Sequence, residues 1–170
     1  MRLVAVRRGG GLCDASGLHA WHPDHCGGLR ALFGDLEVGR FWVGPRSCRG
    51  DWAQRVLEEC SVRAIPIHLV RDGEVKIVGA LSLRAFVADR TFKHSPENNS
   101  SIVVRAGIGK WTALLTGDVE RDAEELLAAR DVRADVLKIG HHGSKTSSTP
   151  VLLDAVRPRI ALISCGLHNN

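Results

Sequence analysis

"ADVLKIGHHGSKTSSTPVLLDAVRPRIALISCG", residues 134–166, carries the most organised pattern in the chain. "ADVLKIG" is a β-rich run, "STPVLLDAVR" has helical spacing, and "RIALISC" is β-rich again. The three read as strand, helix and strand, the alternation of a layered α/β unit. Between the first strand and the helix stand His141, His142, Gly143 and Ser144, where a predicted strand gives way to a loop.

Working back toward the start, "VERDAEELLAAR" predicts an amphipathic helix with acidic residues loaded toward its beginning, and Asp118 is placed to cap it. "SIVVRAGIGKWTALLTGD" predicts two strands joined by a Gly-containing turn, preceded by the polar loop "HSPENNS". "IPIHLV" and "VKIVGA" flank "RDGE" as a hairpin would, and "LSLRAFVA" is a further strand. "DWAQRVLEECSVRA" predicts a helix capped by Asp51, with Ala53, Val56, Leu57 and Cys60 on one face. "GRFWVG" is a short buried strand, and "GGLRALFGDL" has helical spacing at Leu29, Leu32 and Phe33. Hairpins first and strand–helix alternation later indicate an α/β or α+β layered domain.

Three stretches bring metal-ligand chemistry to loops: "HPDHCGG" (22–28), "LLTGD" (114–118) and "KIGHHGS" (138–144). Imidazole plus carboxylate is the ligand set of hydrolytic zinc or manganese centres, where the ion generates a nucleophile from water at neutral pH. A carboxylate such as Asp118 is able to bridge two ions. Each piece also has a plain structural reading. His22, Asp24 and His25 fit a polar loop in which Asp24 caps a helix, Asp118 fits a helix cap, and "HHGS" fits a turn. Their joint occurrence favours the metal reading.

The totals agree with one soluble domain spanning residues 1–170. Of 170 residues, 44% are hydrophobic, enough to bury a substantial core. The formal charge of +4 fits a phosphate-bearing partner only weakly. Five irregularly spaced cysteines, Cys13, Cys26, Cys48, Cys60 and Cys165, make no C-x-x-C pair and read as mostly free thiols. No window has the length and apolarity of a membrane span.

"HPDHCGGL" (22–29), "ENNSSIVV" (97–104), "ALLTGDVE" (113–120), the block 134–166 and the closing "NN" together resemble the metallo-β-lactamase-like domain of ComEC-type DNA uptake (competence) proteins. The resemblance implies a four-layer αββα sandwich with one or two divalent ions, zinc or manganese, at one edge between the sheets. It implies His22, Asp24 and His25 as first-motif ligands, Asp118 as the bridging carboxylate, and His141 or His142 as the late ligand. His141 is favoured because it directly follows the strand and Gly140. His142 is then a second ligand or a proton donor to the leaving oxygen, and Asp24 is a ligand or the base orienting water. Ser144, Lys145 and the loop 146–149 offer contacts to substrate phosphate. Asn98 and Asn99 occupy a loop where relatives of this fold place another histidine, so they line the site or simply turn the chain before a strand. His94 is a lesser candidate, and His68 reads as packed or edge-exposed within its strand and not as a ligand.

The resemblance further implies a metal-dependent phosphodiesterase or nuclease acting on DNA, facing the outside of the inner membrane within a channel protein. Two alternatives stand beside it: a stand-alone hydrolase of a small ester or phosphodiester, and a non-catalytic DNA-binding or structural module. The family pattern is T-H-x-H-x-D-H, whereas this chain reads "GLHAWHPDH", with Ala20 in place of the first ligand and His19 one residue away. Neither the earlier Gly-Gln-Gly-Asp and Asp-Thr-Gly signals nor the later Gly-His-Pro segment is present. The expectation is therefore an incomplete sandwich with an open edge, in which one ion binds well and the second weakly.

Overall fold

The computed structural model describes His25, Leu29, Phe33 and residues 38–44, 51–88 and 92–166. Eight strands and three α-helices are described, in two sheets. Strand β1 (Phe41–Val43) pairs in parallel with β2 (Ile67–Leu69), and helix α1 (Asp51–Val62) connects them. A second sheet runs in the order β3 (Val75–Val78), β4 (Leu81–Phe86), β5 (Val103–Ile108), β6 (Trp111–Leu115), β7 (Val136–Lys138), β8 (Ile160–Leu162). Helix α2 (Arg121–Ala128) joins β6 to β7, and α3 (Pro150–Val156) joins β7 to β8.

The first four strands of this sheet form an antiparallel meander, and the last two pairings are parallel. That change follows from the connections. Tight turns at Gly79–Ala80 and Gly109–Lys110 reverse the chain, Gly79 and Gly109 taking φ of +60° and +56°. Parallel neighbours require a crossover, which the two helices supply. The mixed α/β class read from the sequence is the class observed.

One expected hairpin is absent. "IPIHLV" and "VKIVGA" do not pair across "RDGE"; β2 joins β1 while β3 joins β4. Their alternating runs are equally compatible with either partner, and the burial of Phe41, Trp42 and Val43 draws β2 into the other sheet. His68 on β2 is half-buried, with its ring near Trp42 and Nε2 2.7 Å from Glu74 Oε1.

The packing is layered. Leu29, Phe33, Phe41, Val43, Ala53, Val56, Cys60 and Ile65 form one cluster between α1 and β1. His25, Leu29 and Phe33 are helical and four residues apart, so His25 stands on the face that Leu29 and Phe33 bury. A second cluster packs α2 and α3 on the large sheet through Leu114, Ala123, Leu127, Leu137, Leu152 and Val156. Leu114, Leu137 and Leu152 are each wholly enclosed, and truncating any one to Ala costs about 2–5 kcal/mol. Trp42, Val70, Leu83, Ala85, Ile102 and Val104 fill the space between the sheets.

The outer strand β8 is bare: Ile160, Leu162 and the following Ile163 are all exposed. Cys60 is a buried thiol and Cys165 an exposed one. Among the described residues no helix is long and apolar enough to cross a membrane.

Candidate metal centre

The register of β6 on β7 positions the site. Leu115 and Lys138 are partners in a parallel pair, so both strands end at the same level and emit their loops side by side. Asp118 lies three residues beyond Leu115, and His141 and His142 lie three and four beyond Lys138. Carboxyl ends of neighbouring parallel strands are where open α/β sheets place their ligands.

Hydrogen bonds clamp the two loops together. The Thr116 hydroxyl donates to the Lys138 carbonyl (2.7 Å), and the His141 N–H donates to the Gly117 carbonyl (3.1 Å). Gly117 takes φ of +60°, a turn that glycine adopts without strain, just before Asp118. A Cβ on Gly140 would sit 3.1 Å from the Val119 carbonyl and 3.2 Å from Ser147 Cβ, so any larger residue would push the second loop away from the first.

At this junction His25, Asp118 and His142 bring one ligand atom each to within 4.8 Å of one another. His25 Nε2 is 2.6 Å from Asp118 Oδ2 and 3.3 Å from His142 Nε2, and His142 Nε2 is 3.8 Å from Asp118 Oδ1. Asp118 is 2% exposed, a burial that a carboxylate tolerates only with close partners. His142 Nδ1 lies 2.8 Å from the Ser164 carbonyl. A carbonyl only accepts, so Nδ1 carries a proton and the ring turns its Nε2 to the cluster. This outer hydrogen bond is the usual means of aiming a metal-binding imidazole. Two imidazole nitrogens and a carboxylate oxygen, converging in a mostly buried place, fit a divalent metal ion.

His141 is placed differently from the expectation that favoured it. His141 and His142 have φ of +43° and +54°, two successive left-handed residues, an arrangement that costs energy without glycine. The resulting turn carries His142 to Asp118 and sends His141 the other way, its Nδ1 3.0 Å from Glu120 Oε1. Glu120 also accepts from Ser95 Oγ (2.6 Å) and Asn98 Nδ2 (2.9 Å). Burial by itself would raise the Glu120 pKa. The hydrogen bonds from Ser95 and Asn98, with the His141 imidazole, outweigh it and lower the carboxyl below its ordinary range.

Asp118 does not cap α2; Glu120 takes the capping position without a side-chain hydrogen bond. Buried Asn99 satisfies the helix start instead, its Oδ1 accepting from the Glu120 N–H (2.8 Å) and Ala123 N–H (3.4 Å) and its amide donating to the His94 carbonyl (2.9 Å). His94 itself is exposed beside Asp122. Ser144 Oγ bonds Thr146 Oγ1 (2.9 Å), and Lys145 is exposed on the same loop. His22 and Asp24, with His19 and Ala20, lie outside the described residues. Glu120, Ser164 and Lys138 were not singled out from the sequence as site residues. The weight of acid at the start of α2 is the one signal that pointed toward Glu120.

Residues 21–167 match the model of the metallo-beta-lactamase superfamily. The chain belongs to this superfamily. Among curated proteins, ComE operon protein 3 of Bacillus subtilis is 30% identical over 148 residues, covering 86% of this chain and 19% of that protein. Recombination protein 2 of Haemophilus influenzae is 47% identical over 73 residues, covering 43% of this chain and 9% of that protein. Competence protein ComA of Neisseria gonorrhoeae is 40% identical over 80 residues, covering 45% and 12%. The chain thus spans about a fifth or less of these relatives. Their names agree with the ComEC-type resemblance read from the sequence. Among solved structures, CmlA, a diiron beta-hydroxylase from Streptomyces venezuelae, shares the metallo-beta-lactamase domain's fold with a TM-score of 0.53 at 15% identity, covering 82% of this chain and 33% of that one.

Proposed function

We propose that this metallo-beta-lactamase domain is a metal-dependent phosphodiesterase acting on DNA within an uptake system, with His25, Asp118 and His142 holding the ion. The observation that carries the reading is the convergence of those three ligand atoms within 4.8 Å. The names of the competence-protein relatives support the DNA context. When bound, zinc or manganese would supply a water-derived nucleophile at neutral pH and charge stabilisation for phosphate oxygens.

The chain's own residues supply the rest. Asp118 directs its buried charge into the cluster, and the Ser164 carbonyl keeps His142 turned toward it. Glu120 Oε1 lies 3.0 Å from His141 Nδ1 and orients that ring, leaving His141 as the donor of a proton to the leaving oxygen. That assignment exchanges the two adjacent histidines relative to the sequence expectation, His142 becoming the ligand and His141 the proton carrier. Ser144 and Lys145 contact the phosphate from the same loop, and Asn98 acts through Glu120. His22 and Asp24 contribute to a second, weaker ion position, because Ala20 stands where the motif has its first histidine.

The test is manganese-stimulated release of nucleotides from single-stranded DNA, with Asp118→Ala as the inactive comparison. Release that is equal in the Asp118→Ala chain would sink the proposal. DNA binding without metal that falls steeply with salt, and no cleavage, would replace it with the non-catalytic reading.

A further inference from the structure

Lys138 is a lysine inside a packed sheet, only 3% exposed. Its neighbour Leu137 faces α2 and α3, so strand alternation points Lys138 to the opposite, inter-sheet side, in line with Leu115 and Leu162. An aliphatic residue would suit that position. A buried ammonium loses its hydration and persists only where negative charge or acceptors replace water. The one acceptor within hydrogen-bond distance of its Nζ among the described residues is the Gly117 carbonyl, at 3.3 Å. The residue after Gly117 is Asp118, so the ammonium sits at the turn that carries this carboxylate; burial pushes the Lys138 pKa down, and the Asp118 charge offsets part of that.

We propose that Lys138 is a positioning residue that acts as the resident countercharge of Asp118, stabilising the metal-free site and competing electrostatically with the incoming ion. The inference rests on the metal-site reading above. In the absence of an ion, the buried Asp118 carboxylate has His25 Nε2 2.6 Å away, and the Lys138 ammonium, held at the Gly117 carbonyl of the same turn, adds the positive charge. Once a divalent ion arrives, the same ammonium repels it. The site therefore assembles before metal and holds it less tightly than the ligands alone would.

A merely structural lysine predicts the opposite sign: its loss would loosen the Gly117 turn and weaken metal binding. The experiment titrates Mn2+ into the 170-residue chain, counting free ion by electron paramagnetic resonance, and follows thermal unfolding with and without the ion. Lys138→Met removes the charge at similar volume; Lys138→Gln removes it while keeping a donor for the Gly117 carbonyl. Lys110→Met, an exposed charge lost elsewhere, is the control. Both Lys138 variants should bind Mn2+ roughly tenfold more tightly than the parent, as loss of a nearby like charge in a poorly hydrated site requires. Both should unfold at a lower temperature than the parent without metal, and the gap should close at saturating Mn2+. Unchanged or weaker binding would overturn the inference and leave the metal site standing. Failure of both variants to fold even in saturating Mn2+ would also overturn it, since the ion should replace the missing charge. A parent chain that binds no Mn2+ would overturn the metal reading, and this inference with it.

Discussion

Glu124 on α2 is wholly enclosed, and its carboxylate accepts the backbone N–H groups of Ser148 (2.5 Å) and Thr149 (2.8 Å) where α3 begins. These donors lack partners within their own helix, so a side chain from a neighbouring helix satisfies them. Glu124→Gln keeps the shape and removes the charge. One amide oxygen still accepts a hydrogen bond, while the amide nitrogen meets the second N–H donor to donor. Hydrogen bonds to a charged group contribute about 1.5–3 kcal/mol each, and an unsatisfied buried donor costs about 1–3 kcal/mol. Losing one bond, weakening the other and leaving a donor unmatched sums to a loss of about 3 kcal/mol. For a chain of this length each kcal/mol moves the midpoint by about 2–4 °C, so thermal unfolding should fall by about 6–12 °C. Circular dichroism at neutral pH on the metal-free chain reads this directly. A drop below about 2 °C would refute the idea that Glu124 anchors the loop carrying His141 through Thr149.

His142→Ala should lower Mn2+ affinity by at least about tenfold while His141→Ala lowers it less, because of these two histidines His142 is the one beside Asp118; calorimetric titration of both variants decides between them. Gly140→Ala forces a Cβ against the Val119 carbonyl and Ser147, and should cost about 1–3 kcal/mol in urea unfolding. Glu120 has its folded pKa lowered, so the stability it contributes is present above its unfolded pKa and disappears as pH falls through the folded value. Ser95→Ala, which deletes one of the bonds responsible, should therefore shift acid unfolding toward higher pH in a fluorescence-monitored titration.

Much of the layering was legible in the sequence because it depends on local periodicity. The helix face of Ala53, Val56 and Cys60, the β5–β6 turn at Gly109 and the strand–helix–strand block 134–166 all appear as their residue patterns indicate. Whereas His25, read as part of a loop, stands on a helix, the placing of Asp118 and a late histidine at the ends of apolar runs was legible too. The partner of β2 was not, because an alternating strand of three residues does not encode which sheet it joins.

The sequence by itself determined the family, the α/β class and the supply of imidazole and carboxylate groups. Tertiary structure decided which of them meet. The parallel register of Leu115 on Lys138 brings the Asp118 and His142 loops level, and that register is set by helix crossovers many residues long. Two positive-φ residues in succession then select His142 over His141, a choice between identical side chains that only the backbone path can make. The same packing turns Asn99 into a helix cap and buries Lys138 beside the Gly117 turn, because burial depends on neighbours distant in the chain.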